Sequence, residues 1–116
     1  MRYLMLICSD ENQIRSMSET EGSATLAEYG KFMEEMGRRG VLQGGARLQP
    51  TTTATTVQVR NGSVLTSDGP FAETKEQLGG YFVVDCKGRD EALEIAAKIP
   101  GARLGTIEVR PIWEMG

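Results

Sequence analysis

Ala54-Thr55-Thr56-Val57-Gln58-Val59-Arg60-Asn61-Gly62-Ser63-Val64-Leu65-Thr66 is the stretch whose reading decides this fold. Asn61-Gly62 is a strong hairpin signal, because both residues accept positive φ. Ala54 to Arg60 and Ser63 to Thr66 therefore read as two strands joined by a tight turn. The hairpin lies near the middle of the chain, so the architecture depends on what flanks it.

On the N-terminal side, Val41 to Leu48 is a short strand interrupted by Gly44-Gly45, which predicts a bulge or a close backbone approach. Pro50 and a threonine run separate it from the hairpin. Ala24 to Arg39 has helical period, with Leu26, Tyr29, Phe32, Met33 and Met36 on one stripe and charged residues opposite. Ser23 or Thr25 can cap its start. Gly40 stands where a left-handed C-terminal cap is expected, after basic Arg38 and Arg39. Residues 2–8 are continuously apolar and read as a strand buried on both faces. Residues 9–23 are polar and acidic and read as a long solvated excursion.

On the C-terminal side, residues 68–76 read as a loop with a helical turn after Pro70. Gly80 to Cys86 is a second buried strand. Residues 89–98 are a second helix, with Ala92, Leu93, Ile95, Ala96 and Ile99 on its apolar side and Gly88 or Asp90 as its cap. Pro100-Gly101 stops it, and Thr106 to Trp113 is the last strand. Two βαβ units thus bracket a hairpin, as in ferredoxin-like split-βαβ folds. The class is α+β, a single domain over residues 1–116 with an antiparallel sheet and both helices on one face. The strands are too apolar to leave the other face wet. A homodimer covers it most simply, since an isologous contact needs only one patch; a ligand or a second domain would serve equally.

Composition narrows the function. The chain has 116 residues, 40% hydrophobic content and a net charge of −3, with no basic stripe for a nucleic-acid backbone. It has no histidine and two cysteines. Cys8 and Cys86 sit in apolar runs, where free cysteine is core packing by default; a disulfide requires that their strands be neighbours. No metal-ligand spacing occurs, and the sequence asks for no cofactor. The N-terminal run is too short for a signal peptide, and no stretch approaches a membrane span, so a cytoplasmic protein is expected.

The densest feature is Asp68-Gly69-Pro70-Phe71-Ala72-Glu73-Thr74-Lys75-Glu76, followed by Gly79-Gly80-Tyr81. With Tyr3-Leu4-Met5-Leu6-Ile7, Gly40-Val41-Leu42, Leu48-Gln49-Pro50 and Glu108-Val109-Arg110-Pro111, it resembles the DGPF-domain proteins of the YCII-related family over essentially the whole chain. The resemblance implies a ferredoxin-like fold assembled as a dimeric α/β barrel with a cleft at the subunit interface. It also implies a bacterial protein of undefined activity, with a link to an alternative sigma factor through gene neighbourhood. The wider family is thought to use a His-Asp pair. Asp68 can take the aspartate's place, but there is no histidine here to pair with it.

Asp68 has two readings: a general base if burial tunes it, or an Asx-turn acceptor bound to amides such as that of Phe71. Arg110 can hold an anion through its planar fork, or pair with Glu73 or Glu76. Lys75 can bind the same anion, or join Glu73 and Glu76 in a solvated edge or intersubunit set. Tyr3 and Tyr29 can line a cleft or pack with the hydroxyl at the surface. Phe71 reads as a plug anchoring the loop in the core, and Trp113 as a packing or dimer contact. Two function classes follow. One is a homodimeric binding or regulatory module with a polar interface cleft for a small anionic molecule. The other is an isomerase or lactone-type enzyme with Asp68 as proton acceptor, and Arg110 and Lys75 stabilising negative charge. The lack of histidine and of any nucleophile–base pair favours the first.

Overall fold

The computed structural model describes residues 1–115. In chain order the elements are β1 (Arg2–Ser9), α1 (Glu11–Arg15), α2 (Glu19–Arg38), β2 (Leu42–Arg47), β3 (Thr55–Arg60), β4 (Ser63–Asp68), β5 (Gln77–Asp85), α3 (Arg89–Lys98), α4 (Gly101–Leu104) and β6 (Thr106–Pro111). Asn61 and Gly62 take φ values of 51° and 77° and fold β3 onto β4, as the sequence predicts. A 3₁₀ turn at Thr51–Thr53 leads into β3.

The architecture is α+β. A four-stranded sheet has the order β2-β5-β1-β6, with each neighbouring pair antiparallel. The β3–β4 ribbon is a separate sheet inserted between the neighbours β2 and β5. Alternation along the strands sorts the side chains into two faces. Tyr3, Met5, Phe82 and Val84 are buried together with Phe32 and Met36 of α2 and Ala92, Ile95 and Ala96 of α3. Their neighbours Leu4, Leu6, Tyr81 and Val83 point to the opposite face and are only half-buried. No helix among the described residues is long and apolar enough to cross a membrane.

Several expectations need correction. Residues 9–23 are not a loop: Asp10 caps α1 by accepting from the Asn12 amide, and α2 begins at Glu19 rather than Ala24. Ser18 makes a capping box, accepting from the Glu21 amide at 3.1 Å while the Glu21 carboxylate reaches back to the Ser18 amide. The acidic residues that resemble a solvated loop are what a helix N-terminus favours. Thr25 instead donates its hydroxyl to the Glu21 carbonyl inside the helix. At the other end Gly40 has φ 71°, the expected left-handed cap.

Beyond the ribbon, Gly69 to Glu76 contains no helical turn. Phe71 is not a core plug but 82% exposed, in the irregular loop that follows β4. β4 runs on to Asp68, and β5 begins at Gln77 rather than Gly80. A further short helix, α4, follows Pro100 where only a stop was expected. Cys8 and Cys86 are both free. Although β1 and β5 are neighbours, Cys8 stands opposite Leu78 while Cys86 bonds to the Met1 carbonyl at the far end of β1.

Candidate functional site

On the helix-facing side, two glycines stand among Leu42, Arg47 and Phe82 at the β2 end of the sheet. Gly45 faces Phe82 across the strands, and Gly80 pairs with Arg47 and Ile7. Glycine is required at both places: a Cβ on Gly45 would lie 2.6 Å from the Tyr81 carbonyl oxygen, and one on Gly80 would lie 2.9 Å from that of Ala46. The register also shifts beside them, between Leu42 and Gly44 and between Ile7 and Cys8. The predicted bulge and close approach at Gly44-Gly45 are therefore both present.

Glycine at these two positions keeps this part of the wall low under α2, with the Phe82 ring lying over Gly45. A cavity of about 760 Å³ lies between α1, α2 and the β2–β5 end of the sheet. Its apolar wall includes Ile7, Leu26, Tyr29, Met33, Leu42 and Phe82. Leu26 and Met33 belong to the apolar stripe of α2, yet they are 58% and 43% exposed. They look into the cavity rather than into packed protein. Tyr29 bridges cavity and core, with its ring 6.4 Å from that of Phe82. Its hydroxyl accepts from the Gly101 amide at 3.1 Å. Burial pushes the Tyr29 hydroxyl pKa up, against smaller opposing effects of the Gly101 amide and the charges of Arg47 and Arg103.

The polar lining is mostly spent on structure. Glu11, the one carboxylate in it, accepts from both the amide and the hydroxyl of Thr51 at 2.8 Å. Gln77 accepts from the Glu11 amide at 2.9 Å and donates to the Thr74 carbonyl. These bonds staple α1 to the start of β5 and to the 3₁₀ turn at Thr51. Two guanidinium groups also line it, on Arg15 and Arg47.

Of the residues singled out from sequence, only Tyr29 lines this cavity. Tyr3 is buried in the core, its hydroxyl 3.9 Å from the Met1 sulfur. Asp68 ends β4, exposed, opposite Thr55. Its carboxylate accepts no hydrogen bond among the described residues, so the Asx-turn does not form; Gly69 instead bonds to Ala54 and Thr56. Arg110 binds Glu108 on its own strand, at 2.6 and 2.9 Å, rather than Glu73 or Glu76. Glu73 and Lys75 are exposed in the loop and form no ion pair among the described residues.

No group of three or more His, Cys, Asp or Glu gathers for a metal among the described residues. Burial raises the Cys8 thiol pKa, with Glu108 and Glu76 adding to the effect, and burial likewise raises that of Cys86. Neither is an activated thiolate. Sequence reasoning missed the cavity because it arises from missing side chains. The one signal was the apolar stripe of α2 lying opposite glycine-rich strands.

The YCII-related domain family matches residues 1–116. An uncharacterised protein of Rhizobium meliloti (strain 1021) is 38% identical over 114 residues, which is 97% of this chain and 92% of that protein.

Proposed function

The chain belongs to the YCII-related family, and from that premise we propose that it is a homodimeric module that binds a small molecule. The observation that carries this reading is the cavity of about 760 Å³ with its apolar wall, a volume within the roughly 300–1,000 Å³ typical of small-molecule sites. The ligand site then lies inside one protomer, under α2, rather than in a polar cleft between subunits.

A second copy would cover the open sheet face, where Leu4, Leu6, Tyr81 and Val83 are half-buried. Two ferredoxin-like halves meeting there make a dimeric α/β barrel. The exposed Val57, Val59 and Val64 of the ribbon, and Val59 paired with Val64, supply apolar surface for the same contact. Sedimentation or light scattering tests the assembly, and a stable monomer at micromolar concentration refutes it.

Catalysis with Asp68 as proton acceptor is the weaker reading. The carboxylate is exposed on the ribbon, and the second protomer would have to enclose it. A thermal-shift screen of a metabolite library on wild type, Leu26→Trp and Asp68→Ala separates the readings. Leu26→Trp fills the cavity from an exposed position and should abolish the ligand-induced shift, while Asp68→Ala should keep it. A shift lost in Asp68→Ala but kept in Leu26→Trp would move the site to the ribbon.

A further inference from the structure

The cavity's charge pattern goes further than its volume, given the binding reading above. Its apolar wall holds an uncharged body by taking it out of water. The rim carries three charged side chains, Glu11, Arg15 and Arg47. Each Glu11 carboxylate oxygen is bound by one of the two Thr51 donors, so both are already engaged in holding α1 to the 3₁₀ turn. Arg15 gives one guanidinium nitrogen to the Asn12 side-chain oxygen and meets no carboxylate among the described residues. The Arg47 side chain makes no hydrogen bond or ion pair among the described residues. It shares the helix-facing side of the sheet with Gly45 and Gly80, and its charge reaches the Tyr29 hydroxyl. That hydroxyl accepts from Gly101 and so keeps its own proton to donate.

The rim therefore has unspent cationic donors beside an apolar chamber, whereas the other arginines near α2, Arg38, Arg39 and Arg103, all have carboxylate partners. We propose that the ligand is an amphipathic acid: an aliphatic or aromatic body lying along Leu26, Tyr29 and Met33, with a carboxylate held at the mouth by Arg47 and Arg15. A planar guanidinium suits a carboxylate because two parallel N–H bonds meet its two oxygens.

The test is calorimetric titration with decanoate and naphthoate, each below its aggregation concentration, against their neutral counterparts decanol and naphthylmethanol. At least one acid should bind wild type about tenfold more tightly than its alcohol, the difference expected of one charge-assisted contact at an exposed rim. Arg47→Gln should shrink that difference by weakening the acid and leaving the alcohol unchanged, Arg47→Gln with Arg15→Gln should erase it, and Leu26→Trp should abolish binding of both. Equal binding of acid and alcohol to wild type, or equal acid binding to wild type and Arg47→Gln, overturns the anion assignment and leaves the binding module standing. Acid binding that survives in Leu26→Trp puts the contact outside the cavity and also overturns it. Silence from all four probes overturns it too; only a metabolite screen with no cavity-dependent shift would remove the binding module as well.

Discussion

The two edges of the apolar stripe on α2 meet different surroundings. Along one edge Phe32 and Met36 are buried, with the Phe32 ring 5.1 Å from that of Phe82 and Met36 fully enclosed. Along the other, Leu26 and Met33 face open space over the glycines of β2 and β5. Tyr29 lies between them, tied to α4 through Gly101. The residue types are alike on both edges, so the difference comes from the opposing wall. Where large side chains close over the stripe it is core; where Gly45 and Gly80 thin the wall it lines a chamber.

The largest effects should fall on the packed edge. Met36→Ala should lose about 2–5 kcal/mol in urea denaturation, the usual cost of deleting a fully buried side chain. Leu26→Ala should stay within about 0.5 kcal/mol, as for a surface change. Equal costs would mean that Leu26 is packed and the chamber is not open.

At the pivot, Gly101→Ala should cost about 1–3 kcal/mol by overpacking. The added Cβ would lie 2.8 Å from both the Ile7 side chain and the Tyr29 hydroxyl. It should also weaken ligand binding, because Tyr29 can give way only by moving. A neutral Gly101→Ala would show that the pivot is loose. Ser18→Ala comes next, at about 1 kcal/mol for a lost N-cap. Amide exchange should rise in the first turn of α2, beside the chamber, and leave Met36 and its neighbours protected.

How much of this was legible beforehand follows from the same contrast. The hairpin, the strand order's two βαβ units and the long helices are written in turn chemistry and periodicity, which are local. The capping residues Asp10 and Ser18 were legible as well, but acidic composition around them mimics a loop. The chamber was not legible, because it depends on register: only the antiparallel pairing of β2 with β5 brings Gly45 and Gly80 into one wall of the cavity that Leu26 and Met33 also line. Arg47 had no local signal for the same reason. Phe71 misleads in the opposite sense. An aromatic after Asp-Gly-Pro looks like an anchor, but the loop after β4 leaves Phe71 exposed.

The smallest effect sharpens the comparison through pH. Beyond the packed edge, α2 is tied to α3 by ion pairs, Glu35 with Lys98 at 2.9 Å and Arg39 with Glu91 at 3.1 Å. The Lys87 amide, and after it Arg39, holds the Glu91 carboxyl below its ordinary range; the Lys98 ammonium does the same for Glu35. A carboxyl whose pKa is lower folded than unfolded adds stability that is fully present above the unfolded value, about 4.3 for glutamate, and is lost as pH falls through the folded value. Stability should therefore be level near neutrality and decline below about pH 4.3. Exposed pairs contribute little each, so the decline should be shallow. Glu91→Gln should flatten it further in urea midpoints measured from pH 7 down to pH 3. In amide exchange the acid-sensitive protection should sit at the α2–α3 contact. If acid instead loosens the turns beside Leu26 first, the ion pairs are not what holds the packed edge.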